Sequence, residues 1–235
     1  MAIPSDSFPA KSVLWPGCIL ASIGHAIFVA RAPFMNYLQS WDGANYSFQD
    51  GAGSRGTIAF GVDHQTFVAV FYLEDSPRNP LRRDVIDPTW GMKWLQDLPA
   101  SLKPLADVAA QYVLQDVGGH DMPVITAAFW SDPQNARFGA GEPWPGVLAN
   151  GATLLNYQLL PDEAAVPGWT EAYEWEGGET ALLEKIFARR IVTAGPITLL
   201  ANQSEFLEKY AAGTSGLREC RQTLAEIGIF FSLTR

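Results

Sequence analysis

The clearest alternation of apolar and polar residues lies between Trp41 and Arg78, and it predicts a run of strands. The predicted strands are Tyr46 to Gln49, Arg55 to Val62 and Gln65 to Glu74. Apolar residues occupy both faces of the third strand, so we expect it to be central and covered on both sides. The short turn at Asp63-His64 makes the last two strands antiparallel.

Helical spacing of apolar residues covers much of the remaining chain. Val13 to Ala30 carries no charged residue and is apolar almost all round, which predicts a deeply buried helix that Pro33 ends. Met122 to Trp130 fits a buried strand or a short helix, Ile229 to Leu233 fits a terminal strand, and Pro161 to Gly178 is predicted to be irregular. Further helices are predicted at Phe34–Trp41, Met92–Leu98, Leu102–Asp116, Val147–Leu160, Glu179–Arg190, Glu205–Ala211 and Leu217–Ile227.

These patterns predict an α+β fold: an antiparallel sheet near the N-terminus with a buried central strand, covered by several helices. A length of 235 residues fits one large domain or two small ones. We expect a single globular domain over residues 1–235. The loop rich in Gly and Pro at 131–145 is the alternative place for a boundary or for a functional loop.

Charge narrows the choice of partners. The formal net charge is −9, and an acidic protein repels phosphate backbones, so we expect no nucleic-acid partner. The same charge suits a basic protein partner, or simply solubility. The apolar run at 13–30 contains Pro16, Gly17, Gly24 and His25, which makes it a poor membrane span. We therefore expect no membrane partner and a cytoplasmic location.

The two cysteines, Cys18 and Cys220, belong to no metal-spaced cluster. Both lie in apolar or helical patterns, which favours two buried free thiols. A disulfide between them would require the first and last helices to touch in an oxidising compartment.

Recognisable catalytic motifs are absent from the sequence. The three histidines, His25, His64 and His120, have no zinc-ligand spacing, and there is no nucleophile elbow, phosphate-binding P-loop or dinucleotide fingerprint. We therefore predict no metal and no cofactor. A Ser/His/Asp set that assembles only in space stays possible, because no motif is needed for it.

The segment from Pro161 to Glu184 contains seven acids and no base, with aromatic residues interleaved. Exposed aromatic anchors rimmed by acids suit recognition of a basic protein surface. Sugar binding by stacking, or aromatic rings that simply point inward, are the alternatives. The predicted partner-binding residues are Trp169, Glu171, Tyr173, Glu174, Trp175 and Glu176.

A second candidate site is the polar loop at 51–56. Its glycines could expose successive backbone N–H groups as an anion-binding nest, to which side-chain donors would add. The predicted anion-binding residues are Gly53, Ser54, Arg55 and Gly56. An ordinary hairpin loop whose arginine pairs with Asp50 or Asp42 is the alternative.

The leading hypothesis is a non-enzymatic protein-binding protein, in its most specific form an immunity-type inhibitor of a basic bacterial toxin. The alternative is a small-molecule enzyme or sensor in which Arg55 holds an anion and His64 or His120 moves a proton. A structural subunit of a larger assembly is a third possibility. The sequence leaves the oligomeric state open.

Overall fold

The predicted sheet is present in the computed structural model, which describes residues 8–82, 90–132 and 135–232. The strands are β1 (Gln39–Asp42), β2 (Asn45–Gln49), β3 (Arg55–Phe60), β4 (Phe67–Tyr72), β5 (Leu114–Val117), β6 (His120–Pro123), β7 (Ala127–Ser131), β8 (Ala136–Phe138), β9 (Ile197–Thr198) and β10 (Ile229–Phe230). Six of them form one sheet in the order β1-β2-β3-β4-β7-β8, and the β2-β3, β3-β4, β4-β7 and β7-β8 pairs are antiparallel.

The strand predicted to be central is central. All six residues of β4 are buried, and the strand lies between β3 and β7. In the register of these pairs, Ile58 lies opposite Ala69 and Phe71 lies opposite Ala127. Apolar residues on both faces of this strand therefore correctly indicated that it is covered on both sides.

Seven α-helices complete the fold and confirm its α+β class. They are α1 (Leu14–Arg31), α2 (Lys103–Ala110), α3 (Trp144–Ala149), α4 (Asp162–Ala172), α5 (Gly178–Val192), α6 (Ala201–Tyr210) and α7 (Gly213–Glu226). This count covers the described residues.

The chain divides into two compact units. A helical unit comprises 13–41 and 157–232, and a sheet unit comprises 8–12 and the described residues of 42–156. The predicted loop at 131–145 lies inside the sheet unit. That residues 1–235 form a single globular domain stays a prediction.

In the helical unit, α1 is the core element. Fourteen of its 18 residues are buried, and α4, α5, α6 and α7 pack against it. The helix ends at Arg31, two residues before Pro33, as predicted. Both cysteines are buried free thiols, and burial raises the pKa of Cys18 and of Cys220.

The same helix is the candidate membrane span in the described residues. By length and composition, Lys11–Arg31 is apolar enough to cross a bilayer, with a mean hydropathy of 1.8. Within the protein, however, 78% of the apolar window is buried. That burial is compatible with a soluble protein, in which α1 is a core helix.

Several elements differ from the sequence prediction. The helix predicted at 102–116 ends at Ala110, and the chain continues through a 3₁₀ turn into the β5-β6 hairpin. Gly118 and Gly119 form the hairpin turn with φ of 63° and 88°, rather than ending a helix. The stretch 122–130 supplies residues to two strands, β6 and β7, because Val124 to Thr126 leave the extended pairing.

Other differences concern shorter helices. The helix predicted at 34–41 is a 3₁₀ turn (Pro33–Leu38) followed by β1, and the one at 92–98 is a 3₁₀ turn (Trp90–Leu95). The helix predicted at 147–160 is split into α3 and a 3₁₀ segment (Ala152–Leu159) at Gly151, whose φ is 149°. The terminal strand ends at Phe230, and the predicted limit at Leu233 lies outside the described residues.

In the C-terminal part, helices α4 and α6 differ from the sequence prediction, and each difference has a local cause. Residues 161–178, predicted to be irregular, contain α4, because Ala165, Val166 and Trp169 are buried there despite the internal Pro167. Helix α6 begins at Ala201, where the Gln203 side chain accepts a hydrogen bond from the N–H of Leu200 at 2.9 Å.

Close backbone contact between α1 and α7 yields a testable prediction. A Cβ at Gly216 would lie 2.1 Å from the Ala30 carbonyl oxygen, which also accepts the N–H of Ala212 at 2.7 Å. Since backbone cannot move aside as a flexible side chain can, we expect Gly216→Ala to lower the free energy of unfolding by about 2 kcal/mol or more. Urea denaturation measures this.

Gly195→Ala is the matched control. A Cβ at Gly195 would meet no heavy atom within 4 Å. Its free energy of unfolding should be unchanged or slightly higher, because alanine reduces the freedom of the unfolded chain. Equal effects of the two substitutions would contradict the close α1-α7 contact.

Candidate functional site

The acidic and aromatic segment folds into a helical hairpin made of α4, a turn at 173–177, and α5. The turn uses left-handed backbone at Glu174 and Gly177, with φ of 54° and 104°. The Trp175 N–H donates to the Thr170 carbonyl at 3.0 Å, and the hydroxyls of Thr170 and Thr180 are hydrogen-bonded at 2.9 Å. These bonds tie the two helices together at the turn.

The aromatic rings of this segment hold the hairpin onto α1. Tyr173 stacks between Trp169 and Phe28, with ring centroids 5.4 Å and 4.5 Å away. Trp175 packs 5.2 Å from the Tyr173 ring and faces Gly24 of α1. A Cβ at Gly24 would lie 3.6 Å from the nearest atom of each ring, which is van der Waals distance, so both rings pack directly over this part of α1.

Burial corrects the prediction of exposed aromatic anchors for two of the three rings, Trp169 and Tyr173. Trp169 is only 7% exposed and belongs to the apolar core, so it is not available to a partner. Tyr173 is half-buried, its hydroxyl accepts a hydrogen bond from the Gln39 amide at 3.5 Å, and burial raises its pKa. The physical reason is that α1 has to be covered on this side, and these rings cover it.

Trp175 also forms part of an open groove between α4 and α5. The groove has a volume of about 1040 Å³. Its lining residues recur at helical spacing on both walls, so one face of each helix is turned toward the groove. They are Asp162, Glu163, Val166, Pro167, Thr170, Glu171, Glu174 and Trp175 on the first wall and turn, and Thr180, Glu184, Phe187, Ala188, Ile191 and Val192 on the second.

The groove combines an apolar floor with a negatively charged rim. Five carboxylates line it, and no lysine, arginine or histidine occurs among its described lining residues. Val192 is 82% exposed, so part of the apolar surface is open to solvent. Such a surface favours a ligand that carries both apolar groups and positive charge.

The two arginines at the end of α5 do not neutralise this charge, because they are engaged elsewhere. Arg189 donates to the Thr198 carbonyl at 2.9 Å and to the Gln203 side chain at 3.2 Å. Arg190 donates to the Ile227 carbonyl at 2.8 Å and lies over the Trp15 ring.

Three of the predicted partner-binding residues, Glu171, Glu174 and Trp175, therefore lie together in the groove. Glu176 is exposed in the turn but does not line the groove. The apolar half of the site is missing from the sequence predictions, which give residues 179–190 only as a helix. A second stripe along α5, from Glu184 to Ala188 to Ile191, was the pattern that could have revealed it.

The predicted anion-binding loop has a different structure. The Asp50 carboxylate accepts the N–H of Ala52 at 2.7 Å and that of Ser54 at 3.1 Å, so an internal carboxylate occupies the nest. The Ser54 hydroxyl accepts the N–H of Glu74 at 3.1 Å. Gly53 is in the left-handed region with φ of 110°, as an ordinary tight loop requires.

Arg55 is likewise used inside the sheet unit. Its Nε donates to the Tyr112 carbonyl at 3.1 Å, another guanidinium nitrogen donates to the Leu114 carbonyl, and the group lies over the Tyr72 ring. Gly56, in β3, is packed against the rings of Phe48 in β2 and Phe71 in β4. These donors already have acceptors, so the structure gives the anion hypothesis no support.

In the described part of the chain, the histidines and acids do not come together as a metal site. No group of three or more His, Cys, Asp or Glu side chains there is placed to hold a metal ion. His64 lies in the turn between β3 and β4, and His120 begins β6. His25 is buried in α1, where its Nε2 lies 3.5 Å from the Asn36 carbonyl.

No protein-family model, curated protein or solved structure matches this chain.

Burial of His25 yields a prediction about pH. Desolvation lowers its pKa to about 4, although the contact with the Asn36 carbonyl opposes the shift. An unfolded chain takes up a proton at this residue below about pH 6.5, while the folded chain does so only near pH 4. The free energy of unfolding should therefore fall by about 3 kcal/mol as the pH drops across this window.

Comparison of His25→Gln with His120→Gln separates this effect from other titrations. Urea denaturation between pH 7 and pH 4 should show a shallower loss of stability for His25→Gln. The exposed control, His120→Gln, should follow the unsubstituted protein. Identical pH dependence in all three proteins would show that His25 does not titrate as its burial requires.

Proposed function

We propose that this is a non-catalytic protein-binding protein whose groove between α4 and α5 receives a basic segment of a partner. The observation that carries the proposal is the lining itself: an apolar floor and five carboxylates, with no basic side chain among the described lining residues. An apolar floor contributes affinity through burial, while the charged rim contributes steering and selects the sign of the partner's charge.

The polar groups in the groove support binding rather than covalent chemistry. The hydroxyls of Thr170 and Thr180 are bonded to each other, and neither is placed with a histidine in the described lining. A nucleophile needs a base within hydrogen-bond reach, so these hydroxyls lack the partner that would activate them.

In this proposal, the charge of the groove selects the partner. Carboxylates on the rim repel an acidic protein and attract a basic one, and the net charge of −9 extends the same preference to longer range. An immunity-type inhibitor of a basic toxin is the specific form of the proposal. A cytoplasmic location goes with it, and the two free buried thiols suit a reducing compartment.

A capture experiment with charge-matched variants tests the proposal. Glu171→Gln/Glu184→Gln removes two carboxylates from the groove, and Glu176→Gln/Glu205→Gln removes two exposed carboxylates outside it. The immobilised proteins are incubated with a lysate of the source organism, and bound proteins are quantified by mass spectrometry. We expect a basic protein whose recovery falls by about fivefold or more with the first variant, because two rim charges are lost.

The control variant should retain that protein. Its recovery should also fall as salt is raised, because rim charges are screened. Equal recovery by both double variants, or capture of acidic proteins alone, would contradict the assignment of the groove.

A further inference from the structure

We infer that the segment the groove receives is a single amphipathic α-helix with positive charges near both ends and apolar residues in the middle. This inference rests on the proposed function and adds the conformation and charge pattern of the partner. It follows from three features of the groove: what its walls are made of, how their side chains are spaced, and where the acids lie.

Both walls of the groove are helical. Apart from the helix ends and the Glu163 carbonyl, which Pro167 leaves without an intrahelical donor, the main-chain N–H and C=O groups of α4 and α5 are used within those helices. No described strand lines the groove. An extended peptide would therefore find no sheet edge with which to pair, and its own main-chain groups would be left without partners on burial. A helix satisfies these groups internally and presents only side chains to the groove.

The spacing of the lining residues suits a third helix. On α4, Val166 and Thr170 are one turn apart, and on α5 the same interval separates Phe187 from Ile191. Such rows leave grooves between them into which the side-chain ridge of another helix can pack. The described side-chain hydrogen bond between the two walls, from Thr170 to Thr180, lies near the turn. Further along, the bound helix, called the guest, can lie between the walls as the third member of a bundle.

The length of the guest follows from α5. Thr180 to Val192 line the groove, and twelve steps of 1.5 Å give a length of about 18 Å. A helix of about three and a half turns covers that distance.

On the α4 wall and the turn, the acids lie at the two ends of the groove. Glu171 and Glu174 are near the turn, whereas Asp162 and Glu163 begin α4 at the far end. Between these acids the α4 wall presents Val166, Pro167 and Thr170, and Glu184 of α5 lies one turn beyond Thr180 on the opposite wall. From Glu163 to Glu171 the helical rise is about 12 Å, so the guest should carry cationic side chains about eight residues apart.

Designed peptides of identical composition test this inference on the whole protein. All contain the same lysines, leucines and alanines and a fluorescent label. The first has lysines near both ends and leucines on one helical face in the middle, the second has the lysines in the middle, and the third is scrambled so that no helical face forms. Fluorescence anisotropy measures affinity, and circular dichroism measures helicity on binding.

We expect the first peptide to bind at least tenfold more tightly than the other two and to gain helicity. Glu171→Gln/Glu184→Gln should weaken its binding about fivefold or more, and Glu176→Gln/Glu205→Gln should not. Val192→Ser should also weaken it, because Val192 exposes apolar surface in the groove, whereas Val62→Ser, at an exposed site in the sheet unit, should have no effect.

Failure of this inference is distinguishable from failure of the proposed function. If all three peptides bind equally and the groove variant weakens all of them, the groove binds basic segments without requiring a helix, and only the inference is overturned. If the peptides bind the groove variant as tightly as the unsubstituted protein, they bind elsewhere, and both proposals are contradicted for these probes. No binding by any peptide overturns the helix inference, and the lysate capture then decides the proposed function alone.

Discussion

The helical unit depends on the need to cover α1. A helix that is apolar on nearly all sides is stable in water only if other elements surround it, and in this unit α4, α5, α6 and α7 do so. Backbone contacts bring some of these elements very close. Gly216 of α7 approaches the Ala30 carbonyl, and the rings of Tyr173 and Trp175 pack over Gly24. The glycine at 216 is therefore explained by packing against α1.

The groove is a consequence of that arrangement. Each of α4 and α5 is fixed by α1, and the two helices are bonded to each other near the turn through Thr170 and Thr180. Two helices held by a common third element need not close on each other along their whole length. Their outer faces then bound a groove that holds apolar side chains without burying them completely, as the exposure of Val192 shows.

Charged groups in the two candidate sites differ in whether the protein itself satisfies them. In the sheet unit, Asp50 accepts hydrogen bonds from the loop N–H groups, and Arg55 donates to the carbonyls of Tyr112 and Leu114. Both charged side chains therefore have hydrogen-bond partners within the protein. In the groove, the carboxylates share one sign and have no cation among the described lining residues. Unmatched charge beside apolar surface is the pattern expected of an interface, because a partner can supply both the counter-charge and the apolar cover.

The sequence by itself determined the elements whose patterns are long and one-sided. These are α1, with its uninterrupted apolar run, the β3-β4 pair, with its short turn, and the class of fold that they imply. It also showed that acids and aromatic rings are concentrated between 161 and 184. Tertiary structure alone decided which way those side chains face: Trp169 and Tyr173 turn toward α1, whereas Glu171 and Glu184 line opposite walls of a groove. The physical reason is that local spacing fixes the side of a helix on which a residue lies, but only the packing of other helices decides whether that side is core or surface.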